Sequence, residues 1–231
     1  MNRPGMRWVL VVTVLAVAAL VALSPRSEPT SSELTPSGLT PSGSTPTEGP
    51  GGGTDPATPD LDELRARAAL QPCPAPVPGA VASGVAAAGP LAAVVLPCLG
   101  QEAVVDLGAA LAGRPALLNF WGPLCEPCRQ EMPALAAYAA EPGAVAVLGV
   151  EVQRLPEGGL DLLARLGVHY PSVSDPDGVL QAALRSPPVL PLTYLVSADG
   201  RVQQVNPPEV FRNPAQVRAA VVRYLGEEAA G

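Results

Sequence analysis

The chain contains no lysine; arginine alone carries its positive charge. It has one histidine and four cysteines, and aromatic residues make up 3% of its 231 positions. Each scarcity removes something. With 21 acidic against 14 basic residues the net charge is −7, which argues against nucleic acid as a partner. One histidine leaves His169 as the sole base for a Ser-His-Asp or Cys-His enzyme, and no nucleophile motif surrounds it. His169 also lacks a ligand-type partner, so it reads as a surface or packing residue. No metal and no cofactor is expected. With so few aromatics, the core must be built from Val, Leu and Ala. The missing lysine, beside abundant Ala, Gly, Pro and Val, reads as coding bias and not as mechanism.

What is present first is an apolar run, Trp8 to Leu23, behind Arg3 and Arg7. It is longer than most signal-peptide cores and slightly short for a span, which needs roughly 17–25 residues. The leading reading is a signal anchor over residues 8–23 with residues 1–7 in the cytoplasm. A cleaved signal, with Ala22-Leu23-Ser24 as a loose cleavage site, is the alternative. Either way the arginines stay inside and the remainder is exported. Residues 24–59 are rich in Pro, Ser, Thr and Gly and nearly lack large apolar side chains. Burial there cannot offset ordering entropy, so the stretch reads as a disordered tether.

Periodic sequence resumes at Asp60. Asp60 and Glu63 resemble a capping box for a short helix ending near Leu70. Residues 60–90 form this pre-domain helix and a Pro/Gly-rich loop carrying Cys73. Ala93 to Leu96 and Ala103 to Asp106 predict an irregular hairpin beside Cys98. Residues 91–228 then alternate. A buried strand, Ala116 to Phe120, precedes a helix over Cys125 to Ala140. Val145 to Val152 has the pattern of a parallel strand buried on both faces. A helix over Gly158 to Leu166, a short strand over His169 to Ser174 and a short helix over Val179 to Leu184 follow. Leu192 to Val196 and Arg201 to Val205 flank Ala198-Asp199-Gly200 as a hairpin. Asn213-Pro214 caps a last helix closed by Gly226. The expected fold class is α/β: a three-layer α/β/α sandwich with a central mixed sheet.

The centre of this pattern is Trp121-Gly122-Pro123-Leu124-Cys125-Glu126-Pro127-Cys128. Two cysteines two residues apart at a strand-to-helix junction are thiol–disulfide chemistry. Unpaired backbone N–H groups and the helix dipole at Cys125 favour a thiolate there. Cys125 is the expected attacking thiolate and Cys128 the resolving thiol, which displaces a mixed disulfide. Glu126 and Glu131 disfavour a nearby thiolate and so favour a low reduction potential. Pro127 stiffens the dithiol loop, Pro133 should kink the helix, and Trp121 packs beside the site. A zinc site joining all four cysteines is disfavoured, because Cys73 and Cys98 stand far apart in sequence. Two free thiols are not expected in an exported domain. Cys73 and Cys98 therefore form either a structural disulfide, contributing about 3 kcal/mol in the chain-entropy model, or a second redox pair that relays electrons. No peroxidatic cysteine motif is present.

Asn119-Phe120-Trp121-Gly122, Cys125 to Pro133, and Leu190-Pro191-Leu192-Thr193-Tyr194 with Asp199-Gly200 resemble the thioredoxin superfamily. They are most similar to its TlpA/ResA-like, membrane-anchored, extracytoplasmic branch, over roughly residues 91–225. The resemblance implies that Pro191 is a cis-proline facing the dithiol. It implies that Leu190 offers backbone to an incoming peptide, and that Glu131 exchanges a proton with Cys128. It implies protein disulfides as substrates, such as those of apocytochrome c, and a membrane thiol as electron donor. Two positions depart from the branch: Leu124 stands where Trp is usual, and Leu192 follows the cis-proline where Thr is usual. Asn119 occupies the place of the buried Asp of ordinary thioredoxins, so it cannot shuttle protons. A disulfide oxidant or isomerase, and a non-catalytic binding module, remain as alternatives.

Overall fold

The computed structural model describes residues 60–76, 78 and 89–226. The expected cytoplasmic segment 1–7, anchor 8–23 and tether 24–59 lie outside the described residues. Among the described residues no helix is long and apolar enough to cross a membrane.

Helix α1 spans Leu61–Ala68 and buries Leu64 and Ala68. Asp60 stands at its N-cap, but its side chain makes no capping bond, so the expected capping box does not form. A two-stranded antiparallel hairpin follows, β1 Val95–Pro97 with β2 Val104–Asp106. Helix α2, Leu107–Ala110, was not foreseen; the Asp106 carboxylate accepts the Ala109 N–H at 3.0 Å and starts it.

The main sheet has five strands: β3 Ala116–Trp121, β4 Ala146–Glu151, β5 Ser172–Ser174, β6 Leu192–Val196 and β7 Val202–Gln204. Their order is β5-β4-β3-β6-β7. β4 runs parallel to β3 and β5, while β6 is antiparallel to both β3 and β7, giving the expected mixed sheet. β3 is central and buried throughout, as a run that is apolar at every position but Asn119 requires. Between the strands lie α3 Glu126–Ala139, α4 Pro156–Leu166 and α5 Val179–Ala183, and α6 Pro214–Leu225 follows β7. α3 continues through Pro133. Asn213 caps α6 by accepting the Gln216 N–H at 3.0 Å, and Gly226 closes it with φ +87°.

Alternation along the strands sorts the core into two halves. Leu117, Trp121, Val147 and Leu195 pack with α1, α3, α4 and α6 on one face. Leu118, Phe120, Leu148, Val150 and Tyr194 pack with the hairpin, α2 and α5 on the other. Full burial of each Leu or Val contributes about 1.5–3 kcal/mol, so a core with few aromatics suffices.

The pre-domain segment is fastened to this frame. A Cys73–Cys98 disulfide, with Cα atoms 6.2 Å apart, joins it to the hairpin. Cys98 also forms an antiparallel bridge with Val173 of β5, and Leu99 N–H donates to the Ser172 carbonyl at 2.8 Å. His169 Nδ1–H donates to the Ala68 carbonyl at 3.0 Å. The histidine thus ties α1 to the segment entering β5.

Candidate active site

β3 ends at Trp121 and α3 begins at Glu126, so four residues carry the chain from sheet to helix. Cys125 is the N-cap of α3: the Cys128 N–H donates to its Sγ at 3.2 Å. The two cysteines form a disulfide with Cα atoms 5.3 Å apart. Cys125 is half-buried and Cys128 fully buried. An incoming group therefore meets Cys125 first. Pro127 fills the first turn of α3, where its missing N–H leaves no bond unmade.

The four-residue crossing is held from two sides. Arg129 Nε donates to the Pro123 carbonyl at 3.0 Å. Gln153, just past β4, accepts the Leu124 N–H at 3.0 Å. Gly122 makes room for that glutamine: a Cβ at 122 would lie 2.3 Å from Gln153 Cδ. Sequence reasoning did not find Gln153; a glycine directly after Trp121 was the one available signal. Leu124 itself is 71% exposed beside Cys125 and presents an apolar side chain to solvent.

Beneath the dithiol the environment is buried. Glu131, one helical turn beyond Cys128, is 0% exposed. Asn119 Nδ2 donates to its Oε1 at 2.6 Å. Burial pushes the Glu131 carboxyl from its ordinary 4.5 up to about 7; the Asn119 hydrogen bond, the Phe211 amide and the Arg212 charge oppose the rise. A carboxyl there can take or give a proton at neutral pH. Glu126 is different: it is exposed, 3.5 Å from Arg129 and 3.3 Å from Gln130, so a neighbouring cation offsets its charge. Trp121 is fully buried on the same sheet face as Asn119.

The Leu190–Pro191 peptide bond is cis. Phe120 pairs with Leu192, so register carries Leu190 and Pro191 alongside the end of β3 where the crossing to Cys125 begins. Leu190 is half-buried and packs against both halves of the core. A second cis bond, Asn206–Pro207, lies past β7 and was not foreseen.

Cys73 and Cys98 do not join the dithiol, being bonded to each other. With both disulfides closed, no cysteine is free. Among the described residues no group of three or more His, Cys, Asp or Glu side chains is arranged to hold a metal ion.

Residues 92–205 match the AhpC/TSA family model. The soluble secreted antigen MPT53 of Mycobacterium tuberculosis is 33% identical over 101 residues, covering 44% of this chain and 58% of that protein. Thiol-disulfide oxidoreductase ResA of Bacillus subtilis is 36% identical over 98 residues, covering 41% of this chain and 54% of that protein. A solved structure of a secreted Mycobacterium tuberculosis disulfide oxidoreductase homologous to Escherichia coli DsbE shares 28% identity. It has a TM-score of 0.50 over 56% of this chain and 95% of that chain. The chain spans little more than half the length of the curated relatives it matches. Over residues 92–205 the chain is similar to the AhpC/TSA family, a thioredoxin-fold domain, and it is similar to ResA and to DsbE-like proteins.

Proposed function

We propose that the protein is an extracytoplasmic thiol–disulfide oxidoreductase that reduces protein disulfides. The observation that carries this reading is the Cys125–Cys128 disulfide at the N-terminus of α3, with a buried carboxyl that titrates near neutrality behind it. Cys125 attacks a client disulfide as thiolate, forming a mixed disulfide and releasing one client thiolate. Glu131 accepts the proton of Cys128, and the Cys128 thiolate attacks Cys125 Sγ. The internal disulfide closes and the client leaves as a dithiol. The client backbone lies along Leu190, beside cis-Pro191, as an added extended strand. Trp121 and Pro127 support the dithiol loop.

A carboxyl beside a buried thiol disfavours the thiolate, which lowers the reduction potential and favours the reducing direction. Residues 8–23 anchor the chain in the cell membrane, with residues 24–59 as tether and the thioredoxin-like domain outside. A membrane thiol donor re-reduces Cys125–Cys128, and apocytochrome c before haem attachment is a fitting client. Cys73–Cys98 acts as a structural staple.

A redox titration of residues 60–231, with alkylation and mass spectrometry assigning each cysteine pair, tests the direction. A Cys125–Cys128 potential near or below about −270 mV supports a reductant. A potential near about −120 mV makes the protein an oxidant and overturns the proposed direction.

A further inference from the structure

The sheet face beneath α3 carries two buried polar rows: Glu151 and Ser174, which are hydrogen-bonded to each other at 2.9 Å, and a row through Asn119. Register places Thr193, Asn119, Gly149 and Ser172 side by side across β6, β3, β4 and β5. The neighbours of this row on that face are Leu117, Val147 and Leu195 on one side and Trp121, Glu151 and Ser174 on the other. Asn119 and Ser172 are 0% exposed and Thr193 3%. Gly149 is what lets the row close up: a Cβ there would lie 2.4 Å from Ser172 Oγ and 2.9 Å from Trp121 Nε1.

This layer is short of hydrogen bonds. Asn119 Oδ1, Glu131 Oε2, Trp121 Nε1, Tyr170 OH, Ser172 Oγ and Thr193 Oγ1 are buried with no protein partner. Native interiors leave few such atoms, and a cluster of them calls for a reason. An apolar row would pack without that cost. One bond is made in the layer, from Asn119 Nδ2 to Glu131 Oε1 at 2.6 Å. An oxygen that accepts from the amide is not the one that carries the carboxylic proton. That proton belongs to Oε2, the oxygen without a partner.

We propose that Asn119 is a positioning residue for thiol exchange: by holding Glu131 Oε1 it keeps the titrating oxygen, Oε2, open to Cys128. The proposal rests on the oxidoreductase reading of the dithiol. In the resolving step the Cys128 S–H bond breaks and its proton goes to Oε2. The thiolate electron pair forms the bond to Cys125 Sγ, and the mixed disulfide bond breaks onto the client sulfur. When a donor dithiol re-reduces the pair, the same proton returns from Oε2 to the departing Cys128 thiolate. Asn119 holds Glu131 through both steps and, being an amide, exchanges no proton itself.

The other groups facing Glu131 are few. Cys128 lies on its own helix. Tyr170, ahead of β5, is buried, and both burial and the Glu131 charge raise its phenol, keeping it neutral. Arg212 and the Phe211 amide, ahead of α6, favour the carboxylate. Arg212 is exposed and its Nη1 donates to Gln130 Oε1 at 2.7 Å.

The test is an NMR titration of the Glu131 side-chain carboxyl carbon in the oxidised protein, where no thiol titrates. The wild-type midpoint is expected near the value of about 7 set by burial. In Asn119→Leu the midpoint rises by about one pH unit, tenfold in acidity, because a hydrogen bond to the charged form is gone. The pH–rate profile for resolution of a preformed Cys125 mixed disulfide moves with it. An unmoved midpoint in folded Asn119→Leu overturns the proposal, and so does a moved midpoint with an unmoved rate profile. If Asn119→Leu does not fold, Asn119→Asp decides. Two adjacent carboxyls must then titrate in two separated steps, and a single unshifted step overturns the proposal. The NMR readout needs no turnover, so an inert dithiol in an insulin-reduction assay would sink the oxidoreductase reading separately.

Discussion

Replacing Glu131 by glutamine should make the protein more stable at alkaline pH relative to wild type. The side chain is 0% exposed and its carboxyl is pushed from 4.5 up to about 7 by burial. Between those values the folded protein holds a proton that the unfolded chain has released. The stability that neutral Glu131 contributes is therefore fully present below pH 4.5 and is lost as pH rises through about 7. At about 1.4 kcal/mol per pH unit, the gap from 4.5 to about 7 corresponds to roughly 3 kcal/mol. Glu131→Gln keeps the size and polarity of the side chain and removes the titration. Chemical denaturation of both proteins, with both disulfides closed, should be run from pH 4 to pH 8.5. The difference in unfolding free energy should swing toward the variant by roughly 3 kcal/mol across that range. For a domain of this size the same swing amounts to about 6–12 °C in Tm. A difference that stays flat across the range refutes the reasoning, because the carboxyl would then titrate alike in both states.

Three further outcomes are expected. The double variant Cys73→Ser/Cys98→Ser opens a loop with a sequence separation of 25 and should lose about 3 kcal/mol of stability. Its dithiol exchange should be unimpaired; lost turnover with an unchanged Tm would instead make this pair a relay. Gly122→Ala drives the Gln153 side chain off the Leu124 amide, which costs about 1 kcal/mol for one hydrogen bond. Gly122→Ala and Gln153→Ala should each shift the rate of Cys125 attack, and a double-mutant cycle should find them non-additive; full additivity would show that they do not act through the same contact. Cys128→Ser should trap a client on Cys125 as a stable mixed disulfide visible by mass spectrometry, whereas Cys125→Ser should trap none.

The sheet was legible because its central strands announce themselves. Ala116 to Phe120 and Val145 to Val152 are almost wholly apolar, broken only by Asn119 and Glu151, and strands buried on both faces need that. The Asn213 cap and Gly226 stop were legible because helix ends are local chemistry. The dithiol was legible from spacing and position. What escaped notice depends on register or on competition. α2 is four residues long, and its Asp106 cap reads equally well as the end of a strand. Asp60 looks like a cap, yet its side chain makes no capping bond. The Asn119 bond to Glu131 arises because α3 crosses the face of β3 that carries Asn119, and no local pattern states that. Gln153 is 29 residues from the amide it accepts, so only the parallel pairing of β3 and β4 brings them together.

The Cys73–Cys98 staple also decides how mechanical load would enter the domain. Traction on the chain ahead of Asp60 falls first on α1, then on Cys73 and across the disulfide to Cys98. Cys98 is bridged to Val173, so the force is delivered to β5, the outermost strand of the sheet. Two strand spacings separate β5 from β3, which carries the dithiol crossing. The disulfide thus hands any load that passes α1 to the sheet margin, two strands away from the crossing that holds Cys125.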